Sequence, residues 1–162
     1  MILSITGTPG TGKTIVAKIL KKGIKNSKLI QIKSLLKKNR ITCGYDKKRK
    51  SWIIDIRKLQ KAITNMTPYP NLAYIIDGHL AHFVKSDYIF ILRCSPKILE
   101  KRLKRKGWSK SKIRENVEAE MVDVINYEAL KAKKSKKIFE IDTTRKTPEA
   151  IAKTILRNIQ KR

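Results

Sequence analysis

Histidine, cysteine and acid are all scarce in this chain. Its 162 residues include 2 His, 2 Cys and only 13 Asp and Glu. The two cysteines, Cys43 and Cys94, form no CxxC and no other metal-ligand spacing, which argues against a zinc ribbon or a disulfide scaffold. Both read as reduced thiols. No apolar run approaches the roughly 20 residues needed to span a bilayer. The start, MILSITGTPG, also lacks the charged segment of a secretory signal, so a soluble cytoplasmic protein with no membrane partner is expected. With 41% hydrophobic residues the chain is not a disordered polycation, and its length suits one globular unit with one sizeable core.

Basic residues are abundant instead. Against the 13 acids stand 39 Lys and Arg, a formal net charge of +26 that internal ion pairs cannot neutralise. Such a surface attracts polyphosphate and points to contact with RNA or an RNA-containing particle. The alternative is a lysine-rich background composition. Adaptation to heat through ion pairs would have raised Glu as well, and Glu is scarce.

Five Ile-rich segments of strand length, MILSIT, KLIQI, AYIID, DYIFILRC and KKIFEID, alternate with helical stretches. This is an α/β pattern with a mostly parallel, buried sheet. Ser95-Pro96 opens one helix and Gly107 closes it, while Thr147-Pro148-Glu149 opens the last. Two segments break the rhythm. Residues 34–51 begin as a short helix and continue as a polar stretch, and residues 104–116 join two helices through Gly107 and Trp108. Both suit flaps over a ligand.

The first strand runs into GTPGTGKT, Gly7 to Thr14, followed by the helical IVAKILKK. This is a complete G-x-x-x-x-G-K-[ST] phosphate loop in its required strand-loop-helix setting. Gly10 and Gly12 let the backbone turn its N–H groups inward, and the opening of the helix at Lys13, Thr14 and Ile15 adds partial positive charge. Lys13 would reach the β- and γ-phosphates of ATP or GTP, and the Thr14 hydroxyl would bind Mg²⁺.

Both histidines lie in AYIIDGHLAHF. An acid that ends a second apolar strand usually completes the magnesium site of such proteins, which makes Asp77 the second Mg²⁺ residue. His79, two residues on, either orients a water or acceptor group near the γ-phosphate or serves as a capping residue. His82 reads as structural. A lone HxxH without a third ligand is weak evidence for zinc.

Taken in order, GTPGTGKT, GYD, IIDGHLAHF, ILRCSP, RLKRKGWSKSKIRENVEAE and DTTRKTPEA resemble, over nearly the whole chain, the atypical adenylate kinases of the isoenzyme 6 type. These double as small-subunit ribosome maturation factors. The resemblance implies a P-loop NTPase fold, a five-stranded parallel sheet flanked by helices, as a single kinase domain over 1–162. It also implies a monophosphate-binding segment at about 28–51, containing Tyr45 and Asp46, and a short lid at about 105–115. The family's Asp-x-His element falls on Asp77 and His79, which favours a catalytic role for both. Where the family's lid has Arg-Gly-Tyr, this chain has Lys106-Gly107-Trp108, so the lid cation is Lys106 or its neighbour Arg105. Lys146 lies in a loop that borders the family's nucleotide pocket. Arg93, Arg102 and Arg114 are either phosphate contacts or surface cations, and Trp108 either stacks on a base or caps an apolar edge.

The expected activity is ATP plus AMP giving two ADP, with tolerance for other nucleoside monophosphates, and Lys13, Asp77, His79 and Arg105 as the catalytic set. The resemblance further implies ATPase activity and partners on the small ribosomal subunit precursor, namely a platform ribosomal protein and rRNA, with a role in rRNA processing. The rival readings are an assembly ATPase with no monophosphate kinase role, and a kinase of a polynucleotide or another small metabolite.

Overall fold

The computed structural model describes residues 1–36, 41–47, 51–135 and 137–160. Five strands form one parallel sheet: β1 (Ile2–Thr6), β2 (Ser27–Gln31), β5 (Ala73–Asp77), β6 (Tyr88–Arg93) and β7 (Ile138–Asp142), in the order β2-β5-β1-β6-β7. They correspond to the five strands expected from sequence. Helices cover both faces, so the central strands must be apolar on both sides. All five residues of β5 are buried, as are the first five of β6.

On one face α1 (Lys13–Gly23) packs beside α7 (Pro148–Gln160). α1 buries Lys13, Val16, Ala17 and Leu20, a stripe spaced three and four residues apart. Ile151, Ala152 and Ile155 of α7 join them against Leu3, Ile5, Phe90 and Leu92. The opposite face carries α2 (Ile32–Leu36), α3 (Ile56–Met66), a 3₁₀ turn at Ala81–Phe83 and α6 (Val124–Ala132). Leu59 and Ile63 of α3 pack there with Tyr74 and Ile76, and Asp55 caps that helix by accepting from the N–H groups of Arg57 and Lys58. Full burial of a Leu or Ile side chain contributes about 1.5–3 kcal/mol. Leu59→Ala should therefore cost about 2–5 kcal/mol by denaturant unfolding, and an unchanged midpoint would contradict this packing.

Past the sheet edge, α4 (Pro96–Arg105) and α5 (Lys110–Met121) form a helical pair closed by Leu99, Leu103, Ile113 and Cys94. The polar stretch after Ser34 differs from its expectation. Part of it is an antiparallel ribbon, β3 (Thr42–Asp46) and β4 (Ser51–Ile54), and Ile32 opens a helix rather than ending a strand. The remaining residues of that stretch, 37–40 and 48–50, lie outside the described residues.

Candidate active site

Chain direction reverses beside β1: the connection through α1 leads to β2 on one side, and β6 lies on the other. Ligands of open parallel sheets bind at the carboxyl edge beside such a point. Register brings the chemistry together there, because Ile5 pairs with Asp77 and Gln31 pairs with the same Asp77 from the other side.

The loop after β1 needs its glycines. A Cβ on Gly7 would lie 2.3 Å from the Leu92 carbonyl oxygen. Gly10 and Gly12 have φ of +98° and +96°, and Gly12 forms the N-terminal boundary of α1 with open space where its side chain would be. The Thr8 carbonyl gathers the turn by accepting from the Thr11 N–H at 3.2 Å, the Thr11 hydroxyl at 2.9 Å and Lys13 Nζ at 2.9 Å. Lys13 is thus held inside the loop and only 9% exposed. Burial pulls its pKa from 10.5 down to about 8; Asp77 and Glu120 oppose that fall, and Lys106 adds to it. The Ile15 N–H is engaged by the Gly12 carbonyl, and its side chain is exposed.

Asp77 is 4% exposed. Its Oδ2 accepts from the Thr14 hydroxyl at 2.8 Å and from Gln31 Nε2 at 3.0 Å, while its Oδ1 is buried with no hydrogen-bond partner. An unpaired carboxylate oxygen inside a protein is costly. Beside a hydroxyl at the mouth of a phosphate loop, that oxygen fits a hard, oxygen-seeking cation such as Mg²⁺.

His79 follows Asp77 by two residues and is exposed at the mouth. Desolvation by the surrounding protein and the nearby Lys13 charge pull its imidazole from 6.5 down to about 4. His82 lies on the buried side, with Nδ1 3.0 Å from the Thr6 hydroxyl and Nε2 3.1 Å from Glu128. Burial also lowers it to about 4, helped by His79 and opposed by a hydrogen bond to the His79 backbone. Both imidazoles therefore bind fewer protons folded than unfolded between pH 4 and 6.5. Their contribution to stability is complete above about pH 6.5 and is lost as pH falls towards 4. The melting temperature should fall across that window, by less in His79→Asn than in the parent. Equal losses in the two proteins would contradict the lowered pKa of His79.

The basic residues separate into two groups. Arg93 is enclosed by carboxylates: it donates to Glu120 at 2.8 Å, to Glu140 at 3.0 Å and to Asp123. Arg102 holds Thr143 through its hydroxyl and carbonyl, and Arg114 pairs with Glu118 one turn on. Each of the three is thus held by protein partners. Arg105 ends α4 and is exposed, and Lys106 follows it close enough to lower the pKa of Lys13. Lys146 is exposed in the loop after β7, near Asp142. Trp108, at the turn into α5, is 36% exposed.

Sequence reasoning missed Glu120, which is 4% exposed in the last turn of α5. It accepts from the Thr8 hydroxyl of the phosphate loop, from the Cys94 N–H at 3.0 Å and from Arg93. One carboxylate thereby ties α5, the end of β6 and the loop together. A signal existed, because Glu120 shares a helix face with Ile113 and Val117, where a carboxylate is out of place unless it has partners. Glu120→Ala leaves these donors unpaired and should cost about 1–3 kcal/mol of stability by denaturant unfolding. An unchanged midpoint would contradict the tie.

A phosphate loop on α1 with Lys13 inside it, an acid-hydroxyl pair at the adjacent strand and exposed cations, Arg105 and Lys106, at the end of α4 define a P-loop nucleotide kinase. The family model described as an AAA domain matches residues 3–123. A protein of Methanococcus maripaludis named "Putative adenylate kinase" is 39% identical over 160 residues, covering 96% of this chain and 87% of that protein. One of the same name in Thermococcus onnurineus is 40% identical over 157 residues, covering 96% and 82%. The chain belongs to this adenylate kinase family of P-loop phosphotransferases. In fold it is also similar to the tunicamycin resistance protein of Deinococcus radiodurans (TM-score 0.66, 19% identity, 98% and 95% covered). The thymidylate kinase of Candida albicans is a further fold neighbour (TM-score 0.61, 16% identity, 99% and 91% covered). No helix among the described residues is long and apolar enough to cross a membrane.

Proposed function

We propose that this phosphotransferase moves the γ-phosphoryl group of ATP to a nucleoside monophosphate, with AMP as the leading acceptor. The observation that carries the reading is the meeting of Lys13, Thr14 and Asp77 at one sheet edge, with His79 beside them. An acceptor phosphate oxygen attacks the γ-phosphorus, the bond to the β–γ bridging oxygen breaks, and two nucleoside diphosphates result. Lys13 leaves the Thr8 carbonyl to follow the charge on the transferring group, and the loop N–H groups hold the β-phosphate. Thr14 and Asp77 would hold Mg²⁺, which would supply charge neutralisation to the phosphates. His79, with a pKa near 4, is neutral at pH 7 and positions the acceptor by hydrogen bonding rather than by giving up a proton.

Residues 28–51 serve as the monophosphate segment and 105–115 as the lid within one kinase domain over 1–162. Arg105 and Lys106 are the lid cations, and Lys146 borders the nucleotide. A bisubstrate analogue joining two adenosines through a polyphosphate tests the pairing of sites. It should bind at least about 100-fold tighter than ATP, because linking two sites raises effective concentration. Affinity no better than that of ATP would overturn the acceptor site.

A second reading, favoured by the net charge of +26, is that ATP hydrolysis at the same centre serves docking on an RNA-containing particle in the cytoplasm. A small ribosomal subunit precursor, with its platform protein and rRNA, is the candidate, and late rRNA processing the setting. Co-sedimentation with small subunits at rising salt tests it. Docking should outlast the loss of bulk RNA binding, and parallel loss of both would overturn it.

A further inference from the structure

The phosphate loop is gripped from outside by the two helices that follow β6. A Cβ on Gly10 would lie 2.8 Å from Leu99 Cδ1 and 3.1 Å from Leu103 Cδ2, so the loop backbone rests directly on the leucines of α4. The same two leucines close against Ile113 of α5. The second hold is polar. Thr8, 3% exposed, donates its hydroxyl to Glu120 Oε2, and the other oxygen of that carboxylate accepts from Arg93 Nε at 2.8 Å and from the Cys94 N–H at 3.0 Å. Arg93 also donates to the Glu120 carbonyl at 3.0 Å, so both the side chain and the backbone of Glu120 are fastened to the end of β6.

A buried ion pair is a weak source of stability, since apolar residues of similar volume often serve as well. The placing of this one gives it another use. The Thr8 carbonyl is the acceptor that keeps Lys13 Nζ inside the loop. When Lys13 turns to a phosphate, that carbonyl loses its cation, and the Thr8 residue is then held by Thr11 and by its hydroxyl on Glu120. Of these two only the second reaches beyond the loop, and a hydrogen bond to an ionised acceptor is roughly twice as strong as a neutral one. The helix that supplies it is also well placed. α5 spans Lys110–Met121, about 18 Å at 1.5 Å per residue. Its first turn belongs to the lid assigned to 105–115 and its last turn carries Glu120.

We propose that Glu120 is a positioning residue for the phosphate loop, acting through the Thr8 hydroxyl, and that α5 thereby couples the lid at its first turn to the loop at its last. The coupling rests on the lid reading above, whereas the positioning of the loop does not. A contiguous chain of packed and hydrogen-bonded groups is the physical means.

The test compares the parent with Thr8→Val, Thr8→Ser and Glu120→Gln, well below their melting temperatures. Valine keeps the shape of Thr8 and leaves Glu120 its bonds to Arg93 and Cys94. Thr8→Val should lower kcat/KM for ATP roughly 10-fold, the effect of losing one hydrogen bond to a charged group. Most of the loss should fall on kcat, because the Thr8 carbonyl is left alone only when Lys13 follows the transferring group. Thr8→Ser should restore the parent values. Glu120→Gln keeps an acceptor for Arg93 and Cys94 but turns an amide nitrogen to Thr8, and should follow Thr8→Val. In hydrogen exchange, a non-hydrolysable ATP analogue should slow the amides of 117–121 in the parent and in Thr8→Ser, and protect the loop but not 117–121 in Thr8→Val. A Thr8→Val protein with a lower unfolding midpoint but the kcat, KM and α5 protection of the parent would reduce Glu120 to a structural tie and overturn the proposal. Equal losses in Thr8→Ser and Thr8→Val would also overturn it, since the hydroxyl would not be the group that matters. Parent activity in Arg105→Ala/Lys106→Ala would overturn the lid reading and the coupling, while the kinetics of Thr8→Val judge the positioning alone. ADP formation reads all of these whether the acceptor is AMP or water, so failure of the monophosphate reading is seen separately.

Discussion

Lys13→Ala should lower the rate of ADP formation by about 10²–10³-fold, the usual cost of removing one preorganised donor from a developing anion. The side chain is almost fully buried, and among the described residues its hydrogen bond is to the Thr8 carbonyl of its own loop. That bond holds the ammonium in place until a phosphate offers more. Its pKa of about 8 is the signature of this arrangement: burial disfavours the charge, and Asp77 and Glu120 restore part of it. A bound triphosphate adds negative charge and raises the pKa again. Nucleotide binding just above pH 8 should therefore take up a proton at Lys13, and near pH 7, where Lys13 is already charged, that uptake should be small. Calorimetry in buffers of different ionisation enthalpy reads this directly, and Lys13→Ala should abolish the uptake. For the free protein the sign is opposite to that of a gained ion pair. Between about pH 8 and 10.5 the unfolded chain binds more protons at Lys13 than the folded one, so this group's contribution to stability improves as pH rises through that window.

Asp77→Asn should abolish most of the Mg²⁺ dependence and lower turnover by about 10²-fold, with Thr14→Ala losing less. The reason lies in the two oxygens of one carboxylate. Oδ2 is satisfied by Thr14 and Gln31, whereas Oδ1 is buried without a partner. Asparagine preserves the shape and an acceptor for Thr14 but removes the charge a divalent cation needs. A readout independent of turnover is the effect of Mg²⁺ on ATP affinity. Mg²⁺ should tighten binding to the parent and have little effect in Asp77→Asn, and an equal effect in both would place the metal elsewhere.

Much of this arrangement was legible in the sequence for a physical reason. A parallel sheet covered on both faces requires continuous apolar strands, and AYIID and DYIFILRC have no other use. The phosphate loop was legible because its glycines are dictated by backbone approach. The ribbon was not, because β4 is mostly exposed and β3 only half-buried, so no alternation of apolar and polar residues marks them. Arg93 illustrates another limit. As a basic residue at the sheet edge it was a candidate phosphate contact, and only the fold places Glu120, Asp123 and Glu140 around it. Partners that arrive from 27, 30 and 47 residues away leave no local trace.

The central claim is transfer to a monophosphate rather than to water. The most direct measurement is ADP formation from Mg-ATP with and without AMP, for the parent and for His79→Ala. The account predicts that AMP accelerates ADP formation strongly, with two ADP appearing for each AMP consumed, and that His79→Ala slows the AMP-dependent rate by about 10²-fold. Slow hydrolysis of ATP, abolished by Lys13→Ala but indifferent to AMP, would contradict it and leave the nucleotide-driven docking role as the function of this site.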